Sequence, residues 1–271
     1  MGSSRDHPRD LPRRRRHPRD PRRGPPGNLE AVRRVQAAGH HVLLATGRPR
    51  SMIGALLDLG FHGAVASAGG YVEIGGEILT DAAIDPDVVA RTVRVLLAHS
   101  VPFLLEGSTA LAGPENATEH LERVLQTVAP TGRPPVEALR TEAELAAFPA
   151  SKIAYFDSPV PHEQLVAEIG DGIDVVPSSI PEIGHGAGEL FSAGLSKADG
   201  LATAAAALGV DQADVIAVGD GPNDIEMLAW AGLGVAVTGS RPEVLAVADA
   251  TVAGPEESGL AELFARLDLI G

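Results

Sequence analysis

The sequence predicts an α/β fold in which a Rossmann-like, doubly wound parallel sheet carries an inserted α+β domain. Predicted strands alternate with helices near the N-terminus and again from Glu189 to the C-terminus, and this alternation is typical of a parallel sheet covered by helices on both faces. The elements between these two stretches lose that rhythm. We therefore assign residues 27–81 and 185–271 to the core and residues 82–184 to the insert.

The first half of the core begins with a helix capped by Asn28 and ended by Gly39. The apolar run 41–45 then predicts a buried strand, which ends in the polar sequence Thr46-Gly47-Arg48-Pro49. A helix, a strand and a hairpin turning on two glycines complete this half, at residues 50–59, 63–67 and 71–80. A polar loop is therefore expected at the carboxyl end of a core strand.

The insert opens with Asp85 and Pro86, which suit the cap and the first position of a helix. Its other predicted elements are strands at 102–106 and 151–156 and helices at 116–128 and 161–169. The second half of the core is predicted to alternate strands at 188–192, 214–219, 233–237 and 250–253 with helices at 196–208, 222–231, 241–247 and 256–267. Ligands of such sheets gather at the carboxyl ends of the strands.

Composition and charge exclude several functional classes. The 271 residues include no cysteine, which removes thiol catalysis, disulfides and cysteine-bound metals and favours a hard ion such as Mg²⁺. No run approaches the roughly 18 apolar residues of a membrane span, and no signal-peptide core is present, so we expect a cytoplasmic protein with no membrane partner. Aromatic residues make up only 3%, which argues against a nucleic-acid partner. The oligomeric state is left open.

Residues 1–26 form a different kind of polypeptide. The first 24 residues carry nine Arg and three Asp, whereas the rest of the chain has a net charge of −20. Six prolines and a single large aliphatic residue, Leu11, predict a disordered segment. Two interpretations are open, a solvated basic tail and an arm for nucleic acid or an anionic membrane; the overall charge of −14 favours the tail.

The most informative polar cluster follows the apolar strand that ends near Val218. The sequence Gly219-Asp220-Gly221-Pro222-Asn223-Asp224 places two carboxylates and an amide at one strand end, where oxygen atoms can bind a hard divalent cation. The same residue types also form turns and cap helices without binding anything. The spacing alone leaves both interpretations open.

Two further residues occupy comparable positions. Thr46 follows its own strand, where its hydroxyl and the next backbone N–H groups could bind phosphate oxygens, and Lys197 follows Ser196 at a helix start. Taken singly, each is more typical of a turn or of a solvated surface. Together with Asp220 and Asp224 they describe a site for phosphate and Mg²⁺.

These segments resemble the second, third and fourth motifs of the haloacid dehalogenase superfamily. The resembling segments are Leu43-Leu44-Ala45-Thr46-Gly47-Arg48, Gly194-Leu195-Ser196-Lys197-Ala198-Asp199-Gly200-Leu201 and Val218-Gly219-Asp220-Gly221-Pro222-Asn223-Asp224-Ile225-Glu226-Met227-Leu228. More closely, the chain is similar to the Cof-type sugar-phosphate phosphatases, whose type IIB cap lies where the insert lies here. The resemblance runs from about Asn28 to the C-terminus.

The resemblance implies a Mg²⁺-dependent phosphatase of small phosphorylated metabolites that works through a phospho-aspartyl intermediate. It implies that Thr46, Gly47, Lys197 and Asn223 bind the phosphoryl group. It also implies that Asp220 and Asp224 hold the metal or position its ligands. The cap would choose the substrate, with Glu106, Glu115, His120 and Lys152 as candidates that are equally suited to surface or structural roles.

The first motif of that family, an apolar strand running into Asp-x-Asp-Gly-Thr, is missing. Its place falls in the Arg/Pro segment, where Asp10 lies near the right position but Pro12 replaces the second Asp. Asp6 and Asp20 are no better placed, so no catalytic nucleophile is identifiable. An inactive protein of the same fold that binds phosphate esters is therefore an alternative to the enzyme.

The genetic code suggests a reason for the missing motif. Residues 13–18, Arg-Arg-Arg-Arg-His-Pro, can be encoded so that the same bases read one position later give Asp-Val-Asp-Gly-Thr-Leu. Residues 8–12 can likewise shift to Arg-Val-Ile-Phe-Leu, an apolar strand. The bases at degenerate codon positions are chosen to fit, so this coding shows only that the shifted reading is compatible with the sequence. Our hypothesis is that residues from about 5 to 26 are an out-of-frame reading of the first motif.

Overall fold

The computed structural model describes residues 26–129, 132–178 and 186–270. The predictions made for residues 1–25, including the disordered segment and the out-of-frame motif, lie outside the described residues. Within them the chain forms three sheets with helices packed against them, and the predicted α/β class is confirmed. None of the helices in these three ranges combines the length and the apolar composition needed to cross a bilayer.

The first sheet has the order β1-β2-β3-β4. Its strands are β1 (Leu43–Ala45), β2 (Gly63–Ala66), β3 (Tyr71–Ile74) and β4 (Glu77–Asp81), and its helices are α1 (Pro26–Ala37) and α2 (Gly54–Leu57). β1 and β2 are parallel, whereas β2, β3 and β4 pair antiparallel. The predicted hairpin is confirmed: Gly75 and Gly76 turn it with φ of 59° and 85°, a conformation that suits glycine.

The second sheet is parallel throughout, with the order β11-β12-β13. Its strands are β11 (Ile216–Gly219), β12 (Leu233–Val237) and β13 (Ala250–Val252), and the helices that follow them are α8 (Ile225–Trp230), α9 (Pro242–Val247) and α10 (Gly259–Arg266). The helix that precedes β11, α7 (Lys197–Leu208), packs on β2 and β3 of the first sheet. Strand and helix alternate here as the sequence predicts.

The described core strands do not form the single continuous sheet that the sequence predicts. In the described ranges β1 pairs only with β2 and β11 pairs only with β12, so each is an edge strand. The two sheets nevertheless share apolar clusters: Val42 and Ile216 belong to one that includes α1 and α10, and Ala45 and Ala217 belong to another that includes α8.

The third sheet forms the insert and has the order β7-β6-β5-β8-β10-β9. Its strands are β5 (Phe103–Glu106), β6 (Leu111–Pro114), β7 (Val136–Leu139), β8 (Lys152–Tyr155), β9 (Ile173–Pro177) and β10 (Gly188–Ser192). Its helices are α3 (Pro86–Ala98), α4 (Thr118–Val128), α5 (Glu142–Ala146) and α6 (His162–Ile169). Asp85 caps α3 as predicted, since its carboxylate accepts a hydrogen bond from the N–H of Asp87 at 2.9 Å.

The strand at 188–192 corrects the predicted domain limits. The sequence places it in the core, but β10 pairs antiparallel with β8 and β9, and Leu190 is buried in the apolar cluster of the insert. A short strand followed by a helix has the same sequence pattern whichever sheet it joins, and in the structure the second half of the core begins one element later, with α7. The insert therefore extends past residue 184 to the end of β10.

Candidate active site

The loop that follows β11 folds around the carboxylate of Asp224. A 3₁₀ turn at Pro222–Asp224 leads from this loop into α8. Oδ2 of Asp224 accepts hydrogen bonds from the backbone N–H groups of Asp220 at 2.9 Å and Gly221 at 3.0 Å. A Cβ atom at Gly219 would lie only 2.6 Å from Cβ of Asp224, so this close approach requires glycine.

Lys197 reaches the same carboxylate from the start of α7. The helix start is fixed by Asp199, whose carboxylate accepts hydrogen bonds from the N–H and the hydroxyl of Ser196, each at 2.8 Å. Nζ of Lys197 lies 2.5 Å from Oδ1 of Asp224, and the two residues are 5% and 4% exposed. The predicted third and fourth motifs therefore meet in a buried ion pair.

The loop after β1 lies beside the loop after β11. The N–H of Thr46 donates to the carbonyl of Val65 at 2.8 Å, and the N–H of Arg48 donates to Oγ1 of Thr46 at 3.2 Å. An atom at the Cβ position of Gly47 would lie 3.2 Å from Nδ2 of Asn223. Gly47 thus lies beside Asn223, which adjoins the Asp224 carboxylate that Lys197 and the N–H of Asp220 contact, and Thr46 precedes Gly47 in the same loop.

The carboxylates of the site differ in their availability to a metal. Oδ1 of Asp224 accepts a hydrogen bond from Lys197 and Oδ2 accepts two from backbone N–H groups, so three of the about four acceptor positions of this carboxylate are used. Asp220 is exposed. Across the described ranges no group of three or more Asp, Glu, His or Cys side chains is arranged to hold a metal ion. These residues therefore do not complete a magnesium site, although Asp220 offers one carboxylate to it.

A side chain of the insert also borders this site and was not identified from the sequence. An atom at the Cβ position of Gly47 would lie 4.0 Å from Oε2 of Glu189 in β10. Oε1 of Glu189 accepts a hydrogen bond from Nζ of Lys152 at 2.7 Å. Glu189 and Glu106 are charged residues within otherwise apolar strands, a pattern that indicates a buried polar role. The pairing of Glu189 with Lys152 could not be predicted while residues 188–192 were assigned to the core sheet.

Comparison with known proteins agrees with this architecture. Residues 20–264 match the family model of the haloacid dehalogenase-like hydrolases. The Bacillus subtilis protein named Putative phosphatase YkrA is 26% identical over 253 residues, covering 91% of each chain. A phosphoglycolate phosphatase of Natronomonas pharaonis is 38% identical over 111 residues, which are 41% of this chain and 46% of that one.

Solved structures show the same fold with its cap. The subclass IIB sugar phosphatase BT4131 superimposes with a TM-score of 0.77 at 21% identity, over 91% of this chain and 92% of that one. A protein from Geobacillus kaustophilus superimposes with a TM-score of 0.78 at 26% identity and the same coverage. The matched residues span nearly the whole described chain, and the protein therefore belongs to the haloacid dehalogenase-like hydrolase family.

Proposed function

We propose that this site binds the phosphate monoester of a small phosphorylated metabolite, with sugar phosphates as the substrate class, and that the fold is that of a phosphatase. The observation that carries the proposal is the buried ion pair between Lys197 and Asp224 beside the loop of Thr46. This ion pair holds the ammonium group of Lys197 next to the carboxyl end of β11, where several groups can donate hydrogen bonds. Phosphatases among the relatives, one of them a sugar phosphatase, support the same class.

The predicted phosphate-binding residues supply donors of the type that an oxyanion needs. Oγ1 of Thr46 already accepts a bond from the N–H of Arg48, so its own hydrogen is available to a ligand. The side-chain amide of Asn223 and the backbone N–H of Gly47 add donors of the same kind. The ammonium group of Lys197 donates one of its three N–H groups to Asp224, and the other two can donate to a ligand.

Asp220 is the residue that would hold Mg²⁺. A bound Mg²⁺ would offset charge on the phosphoryl oxygens. The described residues supply too few ligands for tight binding, so we expect this chain to hold Mg²⁺ weakly. The role of Asp224 is then to fix Lys197 and the loop, since three of the about four acceptor positions of its carboxylate are already used.

The covalent step implied by the family needs an aspartate in line with phosphorus. The described site contains Asp220, which we assign to metal binding, and Asp224, which is already paired. β1 and β11 each have an unpaired edge among the described residues, and a strand carrying such an aspartate would pair with both. We therefore propose that the chain binds phosphate esters without turnover, and that its frame-corrected form is the active phosphatase.

Two measurements on the full chain test this proposal. Calorimetric titration with inorganic phosphate should give binding that is lost in Thr46→Val and kept in Thr127→Val, a control at an exposed helical position. Incubation with p-nitrophenyl phosphate and Mg²⁺ should release no nitrophenol. A chain that does not bind phosphate would refute the proposed phosphate site. Turnover of p-nitrophenyl phosphate that disappears in Asp220→Ala would refute the proposal that the chain lacks a nucleophile.

A further inference from the structure

The insert carries a charged cluster made of Lys152, Glu106 and Glu189. Nζ of Lys152 lies 2.7 Å from Oε1 of Glu189 and 3.1 Å from Oε2 of Glu106. Lys152 and Glu106 are each 4% exposed, whereas the side chain of Glu189 is 42% exposed. One ammonium group therefore serves two carboxylates, and one of these carboxylates is almost completely removed from water.

Glu106 is the less well compensated of the two carboxylates. Its buried Oε2 accepts no hydrogen bond, because Nζ of Lys152 lies near it but off the hydrogen-bond direction. Oε1 of Glu189, by contrast, accepts a hydrogen bond from the same Nζ. An ionised carboxylate that is buried with an unpaired oxygen is costly, and a second carboxylate nearby adds to the cost. A proton on Glu106 would lower that cost.

The charged groups that act on Glu106 come from three neighbouring elements. They are Lys152 on β8, Glu189 on β10 and Arg48 in the loop after β1. β6, which pairs with β5 on its other side, carries no titratable residue. α4 packs on the same face of the sheet, but its histidine lies 3.2 Å from the carboxylate of Asp157 instead. Arg48 is therefore the group through which the phosphate loop acts on Glu106.

These effects leave Glu106 close to half protonation at neutral pH. Burial is the largest effect and raises the pKa of Glu106, Lys152 and Arg48 lower it, and Glu189 raises it; the result is a pKa of about 7. A group poised in this way gains or loses its proton when a nearby charge changes.

An anion at the phosphate loop would change the charge near Glu106 in two ways. Oε2 of Glu189 lies 4.0 Å from the Cβ position of Gly47, so the anion would add negative charge beside the cluster. Arg48, the next residue of the loop, is exposed, so the anion would also offset its positive charge. Both changes favour the neutral form of Glu106 over its carboxylate.

We propose that Glu106 takes up a proton when an anion binds beside Gly47, so that the site binds a phosphate ester and a proton together. The proton comes from solvent and adds to the Glu106 carboxylate, and no bond of the ester changes. The fixed charges of Lys197, Asp220 and Asp224 are present before and after binding, so the added anion alone shifts the proton. This inference rests on the proposed function, since it needs an anion to bind at this loop. Because the coupling is reciprocal, acidification should tighten anion binding.

The test is calorimetric titration of the full chain with sulfate at pH 7.5. Sulfate resembles the phosphate group but, unlike phosphate, does not titrate near neutral pH. The titration is repeated in Tris and in imidazole, two cationic buffers with different ionisation enthalpies, and the difference between the two heats gives the number of protons taken up. We expect about 0.3–0.5 proton per bound sulfate, and an affinity for sulfate that falls by about three- to sevenfold between pH 6 and pH 8.5.

Two variants locate the proton. Glu106→Gln should still bind sulfate but should take up almost no proton at pH 7.5 and should lose the pH dependence of its affinity, because an amide does not titrate. Glu189→Gln is the second variant and should fold, because Glu189 is partly exposed. It removes a carboxylate that raises the pKa of Glu106, so the greatest proton uptake should move to lower pH.

Glu137→Gln is the matched control, because Glu137 is exposed on β7 of the same sheet and should leave proton uptake unchanged. Equal uptake by Glu106→Gln and the unsubstituted chain would overturn the inference, since the proton would then go elsewhere. Sulfate binding without proton uptake, or a pH of greatest uptake that does not move in Glu189→Gln, would also overturn it. If neither sulfate nor phosphate binds at any pH, the proposed function is refuted instead.

Discussion

Nζ of Lys197 lies 2.5 Å from Oδ1 of Asp224, and both residues are almost fully removed from solvent. This pair joins the start of α7 to the loop after β11, so it links the two halves of the phosphate site. Bringing two charges into the interior costs desolvation energy that their attraction and the two loop N–H bonds to Asp224 must offset. The pair therefore determines both the local stability and the position of the cation.

Lys197→Met should lower the free energy of unfolding by about 3–5 kcal/mol, because it leaves the carboxylate of Asp224 buried without a counter-charge. Urea unfolding followed by circular dichroism measures the change. The double variant Lys197→Met/Asp224→Asn should recover part of the loss, since it removes both charges, but should not recover phosphate binding. Arg123→Met, at an exposed helical position, is the control and should change stability by less than about 0.5 kcal/mol. A small loss in the single variant would show that Asp224 finds another partner.

Gly219→Ala should displace Asp224 and destabilise the protein by about 1–3 kcal/mol, because the new methyl group would lie 2.6 Å from Cβ of Asp224. Phosphate affinity should fall with it, since Lys197 loses its fixed partner. The comparison is Gly254→Ala, where a Cβ atom would meet nothing within 4 Å and φ is −64°. Equal effects of the two substitutions on phosphate affinity would contradict the proposed role of the loop.

Glu106 should make stability depend on pH in a definite direction. Burial raises the pKa of this carboxyl from 4.5 to about 7 in the folded protein. The folded state therefore holds a proton that the unfolded chain has released, and the stabilisation this gives is complete below about pH 4.5 and lost as pH rises through about 7. Lys152 does not reverse this trend: burial alone would lower its pKa, but Glu106 and Glu189 outweigh that effect and raise it.

The measurement is urea unfolding of the wild type and of Glu106→Gln at several pH values between 4.5 and 8. Stability of the wild type relative to the variant should decline across that interval and level off above it, because glutamine does not titrate. Carboxylates that do not interact with Glu106 contribute equally to both proteins and cancel in the difference. A difference that stays constant across the interval would show that the pKa of Glu106 is not raised.

The sequence predicts the elements of the fold better than their partners. The hairpin at Gly75-Gly76 and the cap at Asp85 are predictable because both are local, requiring positive φ in one case and a side-chain oxygen beside free N–H groups in the other. The placement of β10 is not, because period-two patterning states which face is buried and leaves the neighbouring strand unspecified.

The same distinction applies to the candidate site. Thr46, Lys197 and Asp224 could be selected because each lies at the end of a core element, and their motifs are contiguous in sequence. The cluster of Lys152, Glu106 and Glu189 could not be assembled in this way, because it depends on the register by which β5 and β10 flank β8. Its residues are 83 positions apart from first to last, counted from 106 to 189.

Restoring the shifted reading frame over residues 5–26 should join the two halves of the core. An apolar strand between β1 and β11 would give each of them a second hydrogen-bonded neighbour, and would bury further apolar surface beside the clusters that contain Val42 and Ala45. Differential scanning calorimetry should show a melting temperature at least about 5 °C higher than that of the chain as written, since each kcal/mol of stabilisation raises it by about 2–4 °C in domains approaching this size.

The corrected chain should also hydrolyse p-nitrophenyl phosphate. The same chain with the first Asp of its restored motif changed to Asn is the control: it should keep the higher melting temperature, because asparagine fills the same space, and lose turnover, because an amide cannot attack phosphorus. An unchanged melting temperature of the corrected chain would contradict the proposed place of the strand, because a central strand that hydrogen-bonds to both sheets must stabilise the folded protein.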